Sequence, residues 1–214
     1  MSRPVLYDYW RSSASYRVRI ALNLMGLAYD AVPVNLLTGQ HRGEDHIARN
    51  PQGLVPALEI DGHMLTQSMA IIEYLDETRP DPGFLPTEKH ERARVRALAY
   101  AVAMEIHPVC NLSVAAHVVE LTGRDEDRAA WMKTFIRRGL VGLEGMLADG
   151  KSGIYCHGDT PTMADLCLVP QVYNANRWEV DISDLERINA INENCVALKS
   201  FAAAHPDRIG PPPG

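Results

Sequence analysis

Arg79-Pro-Asp-Pro-Gly-Phe-Leu-Pro86 holds three prolines and one glycine in eight residues. Each proline removes a backbone donor and fixes φ, so neither a helix nor a strand ladder runs through such a stretch. The segment reads as a linker that divides the chain, with one domain over 1–83 and a second over 88–214. The 214 residues suit one large domain or two small ones, and the linker favours two.

Before the linker, short strands alternate with helices. Val5–Tyr9 is an apolar strand, and Val18, Ala21, Leu22 and Met25 fall at the spacing of one buried helical stripe, with Gly26 as its stop. A second strand is expected at Tyr29–Val34, then a weak helical turn between Gly39 and Arg49 that ends at Asn50-Pro51. Ala57–Ile60 and Met64–Thr66 form a hairpin through Asp61-Gly62, and Ser68 caps a helix carrying Ile71, Ile72 and Leu75. The order is βαβ, a variable piece, then ββα.

Beyond the linker the pattern is helical. Val95, Leu98, Ala99, Val102 and Ile106 mark one stripe, and Met132, Phe135, Ile136, Leu140, Leu143 and Leu147 a second. Thr162-Met-Ala-Asp165 has the form of a capping box and opens a helix expected to break near Pro170. Leu185, Ile188 and Ile191 mark a further helix. The tail Gly210–Gly214 is expected to be extended or disordered.

Composition narrows the function. The first residues contain no apolar leader and no uninterrupted apolar run approaches the ~18 residues of a membrane span, which points to a soluble, cytoplasmic protein without a membrane partner. A formal net charge of −6 argues against nucleic acid as a partner. Cys110, Cys156, Cys167 and Cys195 form no Cys-x-x-Cys pair, so they read as reduced, packed thiols, and no metal ligand set is expected.

Three features of the first half carry chemistry. Arg11-Ser12-Ser13 lies where the first strand meets the first helix, and unpaired N–H groups and the macrodipole there favour an anion. Leu54-Val55-Pro56-Ala57 puts a proline at a strand entry, where a cis bond would present the preceding backbone to a ligand. Thr66-Gln67-Ser68 opens a second helix with an amide and a hydroxyl. Taken alone, the serines read as helix caps and Pro56 as a trans strand-entry residue. Arg17 and Arg19 read as structural or solvated, Cys110 as a packed thiol, and Glu73 and Asp165 as helix-surface or capping residues.

Together these motifs resemble the cytosolic glutathione transferases: an α/β, thioredoxin-like N-terminal domain followed by an all-α helical bundle. Ser12-Ser-Ala-Ser-Tyr-Arg-Val-Arg-Ile-Ala-Leu22 is similar to the zeta-class signature, as are Asn50-Pro, Val55-Pro56, Gln67-Ser68 with Ala70–Leu75, Gly158–Asp165 and Val169–Val172. That class includes maleylacetoacetate and maleylpyruvate isomerases. The resemblance implies glutathione as cofactor, a small dicarboxylate as substrate and a homodimer. It places Ser12, Ser13, Arg11 and Arg177 at the chemistry, with Ser12 the first choice as donor to sulfur. It implies glutathione contacts from Ser13, Val55, Pro56 (as a cis-proline), Gln67 and Ser68, with His41, His107 and Asn111 near glutathione or substrate. Ala14 stands where the class usually carries Cys, so reactions that need a protein thiol there are expected to be absent. The leading reading is glutathione-dependent cis–trans isomerisation of maleylacetoacetate, with the same reaction on maleylpyruvate and conjugation of α-haloacids as alternatives. A non-catalytic binding module is the reading from another class.

Overall fold

A computed structural model describes residues 3–211. The chain forms two compact units, residues 1–84 with 198–214 and residues 85–197. The expectation for the tail falls largely outside the described residues, which stop short of 212–214.

In the first unit a four-stranded sheet runs in the order β2-β1-β3-β4. Strand β1 (Val5–Asp8) pairs in parallel with β2 (Asp30–Pro33) and antiparallel with β3 (Ala57–Ile60), and β3 pairs antiparallel with β4 (His63–Thr66). The β3–β4 turn uses Asp61 at φ 54° and Gly62 at φ 80°. Positive φ at both central residues matches the strand twist, which is why Asp-Gly serves here. Arg79 and Tyr74 both bond the Asp61 carboxylate, at 2.7 and 2.9 Å, and fasten this turn to helix α3 (Ser68–Thr78).

Helix α1 (Ser13–Leu24) is buried without a break from Ala14 to Leu22. The weak helical turn expected between Gly39 and Arg49 is present as a 3-10 turn (Gln40–Arg42) and a short helix α2 (Glu44–Arg49) that stops at Asn50. Asp76 of α3 accepts from the Phe84 N–H at 2.6 Å and Phe84 is fully buried, so the proline-rich segment is pinned at its end.

The second unit contains α4 (Lys89–Tyr100), a π-helical stretch over Ala101–Ile106, α5 (His107–Val109), α6 (Leu112–Thr122), α7 (Glu126–Met146), α8 (Met163–Arg177) and α9 (Glu186–Val196). The expected stripes are buried, apart from the half-buried Phe135. Gly139 of α7 faces Ile106 so closely that a Cβ there would come within 2.3 Å of its side chain. The run Lys89–Thr122 is, by length and mean composition, apolar enough to cross a membrane, but Glu91, Arg92, Arg94, Arg96 and Glu105 interrupt it, so it is not an uninterrupted apolar run. Its helical backbone is interrupted at Cys110-Asn111.

Two expectations need correction. Pro170 does not break its helix: α8 is continuous, and the residues from Met163 to Val172 are all buried, so packing against α4 and α9 outweighs one missing hydrogen bond. The second domain does not extend to residue 214. Helices α10 (Lys199–Ala204) and α11 (Pro206–Ile209) belong to the first unit, because Asn23 bonds the Ser200 carbonyl at 3.0 Å, Arg19 the Ala204 carbonyl at 3.1 Å, and Tyr16 meets His205 edge-on at 6.0 Å.

The α4 end of the second unit is held by charge. Arg94 grips Asp149 through two bonds of 2.6 and 2.7 Å and reaches the Cys156 carbonyl at 2.9 Å. The guanidinium lowers the Asp149 pKa from 3.8 to about 2. A depressed carboxylate pKa stabilises the fold above the unfolded value, and that contribution is lost as pH falls through the folded one. Asp149→Asn is therefore expected to be less stable than wild type in urea at pH 6, and the difference is expected to close between about pH 4 and 2.

Candidate active site

The start of α1 leaves two donors open. Of the four N–H groups that a helix cannot satisfy internally, Ser12 N–H bonds the Tyr9 carbonyl at 2.8 Å and Ser15 N–H the Ser12 Oγ at 3.2 Å. Ser13 and Ala14 N–H have no acceptor among the described residues. Ser12 is thus the N-cap. A hydroxyl has one proton and two lone pairs, so the cap engages a lone pair and leaves the proton for a second acceptor. The capping and anion-binding readings of Ser12 are compatible, and Ser13 is the first helical residue beside it.

The Val55-Pro56 motif meets this turn and the Gln67-Ser68 motif meets α1 at Arg17, all within the same unit. Tyr9 packs with Val34 and Val55, and Trp10 leans on that cluster. The Val55-Pro56 bond is cis, as the resemblance implies, and Val55 lies two residues before the ladder pair Tyr7–Ala57. Ser68 is buried and its Oγ accepts from Arg17 Nη1 of α1 at 3.2 Å. Ser68 is not the cap of α3 as expected: Gln67 occupies that position at φ 66°, ψ 111°, without a side-chain capping bond. That backbone conformation is costly for a residue with a Cβ and is found where a site requires it. The Gln67 amide is held by Gln52 Oε1 at 2.6 Å.

Arg11 is half-buried, 5.0 Å above the Trp10 ring, with Nη2 3.4 Å from the Tyr9 hydroxyl. His41 lies on a 3-10 turn; desolvation and then the charge of Arg42 lower its pKa, so the ring is neutral at neutral pH. Its Nδ1 is buried with no partner among the described residues.

The remaining candidates belong to the second unit. Asn111 caps α6, its Oδ1 accepting from the Ser113 N–H at 3.0 Å and Oγ at 3.1 Å. His107 follows the π-helical stretch. Arg177 ends α8, exposed, 5.2 Å from the Trp178 ring centre. Cys110 is buried and burial pushes its thiol up to about 11, in keeping with a packed rather than reactive residue. Asp165 is buried and accepts from the Thr162 N–H and Oγ at 2.7 and 2.9 Å, so its role is capping.

Sequence reasoning missed the residues that hold these groups in place. Asp8 and Arg19 form a buried pair behind the turn. His46 Nε2 and Asn50 Nδ2 both donate to the Leu54 carbonyl, at 2.9 and 2.8 Å, and Asn50 Oδ1 accepts from Gln52 N–H at 3.1 Å. A signal for Asp8 was present. It shares the inward face of β1 with Leu6, and a carboxylate on a core face demands a buried cation.

Residues 4–77 match the model of the glutathione S-transferase N-terminal domain. The chain is 61% identical to a maleylacetoacetate isomerase of Rhizobium meliloti over 97% of this chain and 98% of that one. Among solved structures, a holo maleylpyruvate isomerase described as a bacterial zeta-class glutathione S-transferase superposes with TM-score 0.92 at 43% identity, over 95% of this chain and 97% of that one. This chain belongs to the zeta-class glutathione transferases. A maleylacetoacetate isomerase of Anaeromyxobacter dehalogenans, 44% identical over 99% of this chain and 98% of that one with TM-score 0.88, was solved with dicarboxyethyl glutathione and citrate in its active site.

The donor set of this zeta-class chain fits glutathione. Thiolates and carboxylates are held by N–H and O–H donors, which the α1 start supplies and which the Gln67-Ser68 motif also carries. Asn50→Ala removes two bonds worth about 1 kcal/mol each from the loop that presents Val55. It is expected to weaken glutathione binding roughly tenfold by calorimetry while leaving the helical circular dichroism unchanged.

Proposed function

We propose that this chain catalyses the cis–trans isomerisation of maleylacetoacetate to fumarylacetoacetate with glutathione as cofactor. The observation that carries the reading is the start of α1, where the N–H groups of Ser13 and Ala14, without an acceptor among the described residues, lie next to a capping serine whose Oγ accepts from Ser15 N–H. When bound, glutathione supplies a thiolate that adds reversibly to the cis double bond, so that rotation is allowed before elimination returns the cofactor unchanged.

The residues of the chain have three tasks. The first is to keep the sulfur ionised. Depressing a thiol pKa of about 8.5 by two units requires roughly 2.7 kcal/mol. A partly buried helix start supplies up to ~2 kcal/mol, and a hydrogen bond to a charged group about 1.5–3. Ser12 donates its hydroxyl to the sulfur, with Ser13 as second donor, and the open N–H groups of Ser13 and Ala14 complete the set.

The second task is to hold the tripeptide: Val55, beside cis-Pro56, pairs with its cysteinyl backbone, Gln67 and Ser68 with its γ-glutamyl carboxylate, and His41 with its polar periphery. The third is to hold a dicarboxylate. Arg11 and Arg177 take its carboxylates, since a planar guanidinium binds both oxygens at once, and charge developing on the carbonyl is offset by the same groups. His107 and Asn111 contribute from the helical domain. The reading carries a cytoplasmic homodimer, with the first domain of one subunit against the helical domain of the other. Ala14 supplies no thiol, so every sulfur step belongs to the cofactor.

Maleylpyruvate is the competing substrate, favoured by the fold match noted above and by His107; Leu112-Ser113 after Asn111 favours maleylacetoacetate. The specificity constant on maleylacetoacetate is expected to exceed that on maleylpyruvate, with total glutathione constant through many turnovers. Stoichiometric loss of thiol would instead identify a conjugating transferase. Ser12→Ala is expected to lose about 1 kcal/mol of stability with its cap, to raise the bound thiol pKa by one to two units, and to lower kcat/KM roughly 10- to 100-fold. Thiolate absorbance and steady-state rates check both effects, and near-normal activity would remove the role assigned to this hydroxyl.

A further inference from the structure

The reading above uses the groups that face the sulfur, and none of them accounts for the buried ion pair behind the turn. Arg19 is 1% exposed and Asp8 4%. Arg19 Nη1 meets both carboxylate oxygens of Asp8 at 2.8 and 2.7 Å, Nη2 meets the Trp10 carbonyl at 2.9 Å, and Nε meets the Ala204 carbonyl at 3.1 Å. The donors of a guanidinium are coplanar and fixed in direction, so one side chain that satisfies three acceptor groups also fixes their relative positions.

Those acceptors are the end of β1, the turn before Ser12, and the last residue of α10. Trp10 is two residues from Ser12. The remaining fastenings of the turn are Ser12 N–H to the Tyr9 carbonyl at 2.8 Å and the packing of Tyr9 and Trp10 near Val55. Neither one sets the direction of the Trp10–Arg11 peptide plane. Arg19 does, through the Trp10 carbonyl, and that peptide leads through Arg11 into Ser12, whose hydroxyl is the next donor and is followed by the Ser13 and Ala14 N–H groups. A misdirected donor is a weak one, because hydrogen bonds lose strength steeply off axis.

We propose that Arg19, oriented by Asp8 and anchored to the Ala204 carbonyl of the C-terminal segment, is the positioning residue that aims the α1 donors at the glutathione sulfur. The last helices of the chain thereby take part in holding the nucleophile, although they lie far from it in sequence. The inference rests on the glutathione-dependent reading and deepens it.

The test follows the ionisation of bound glutathione by thiolate absorbance, and amide hydrogen exchange at 11–15 in the ligand-free protein. Arg19→Lys keeps the charge but loses the planar fork. The paired replacement Asp8→Leu with Arg19→Met removes both charges and leaves an apolar interior, an exchange that folds commonly tolerate. In each, the bound thiol pKa is expected to rise by about one unit, a tenfold change in its ionisation constant, and the Ser12 and Ser15 amides to exchange at least tenfold faster. Asn23→Ala cuts a different bond to the same C-terminal segment. It is expected to lower the melting temperature and leave the thiol pKa in place. A folded Arg19 variant with the wild-type thiol pKa and wild-type exchange overturns the proposal. Wild-type protein that leaves the glutathione thiol unshifted overturns the functional reading instead. Should neither Arg19 variant fold, exchange in the unaltered protein decides: the Ser12 and Ser15 amides are expected to open together with those of α10, and independent opening overturns the proposal.

Discussion

The first unit is organised around one buried ion pair. Asp8 ends the strand from which the active-site turn departs, and Arg19 lies on the helix into which that turn leads. Burying two opposite charges gains little net stability over a well-packed apolar pair, because desolvation offsets most of the attraction. What the pair provides is direction. The guanidinium meets strand, turn and C-terminal segment at once, and an apolar side chain of the same volume meets none of them.

Around that pair, three loops converge by different physical means. The turn before α1 is held by backbone hydrogen bonding to Tyr9, and the Val55 loop by packing against Tyr9 and by the doubly bonded Leu54 carbonyl. The start of α3 is held by the Arg17–Ser68 bond and by a residue at positive φ. The cost of that backbone geometry is concentrated at Gln67, next to the donors that the glutathione reading assigns to a carboxylate. At the start of α1 the groups without an acceptor among the described residues are backbone N–H donors, which lose little conformational freedom when they bind.

Features decided within a few residues were legible in the sequence. Asp61-Gly62 marked its hairpin because both residues accept positive φ, and Thr162 and Asp165 marked a helix start because each satisfies the other. The site motifs were legible through their resemblance to a family rather than through local physics, since a serine before a helix looks the same whether it caps, binds, or does both. What stayed hidden depended on distant partners. Arg19 read as structural or solvated because one of its acceptors, the Ala204 carbonyl, lies far from it along the chain. Pro170 read as a break because the packing that keeps α8 whole comes from α4 and α9. His46 was unremarkable until Leu54 folded over it.

The return of α10 to the first unit has a consequence for how the protein is made. Residues 1–84 are synthesised long before residues 198–204, and until the latter leave the ribosome α1 lacks its covering helix and Arg19 lacks one of its acceptors. The nascent amino-terminal half therefore carries an unfinished interior while more than half of the polypeptide is still being translated. A fragment ending at the proline-rich segment would inherit the same exposed seam, so the natural unit of expression, of swapping between relatives and of selection is the whole chain rather than its first half.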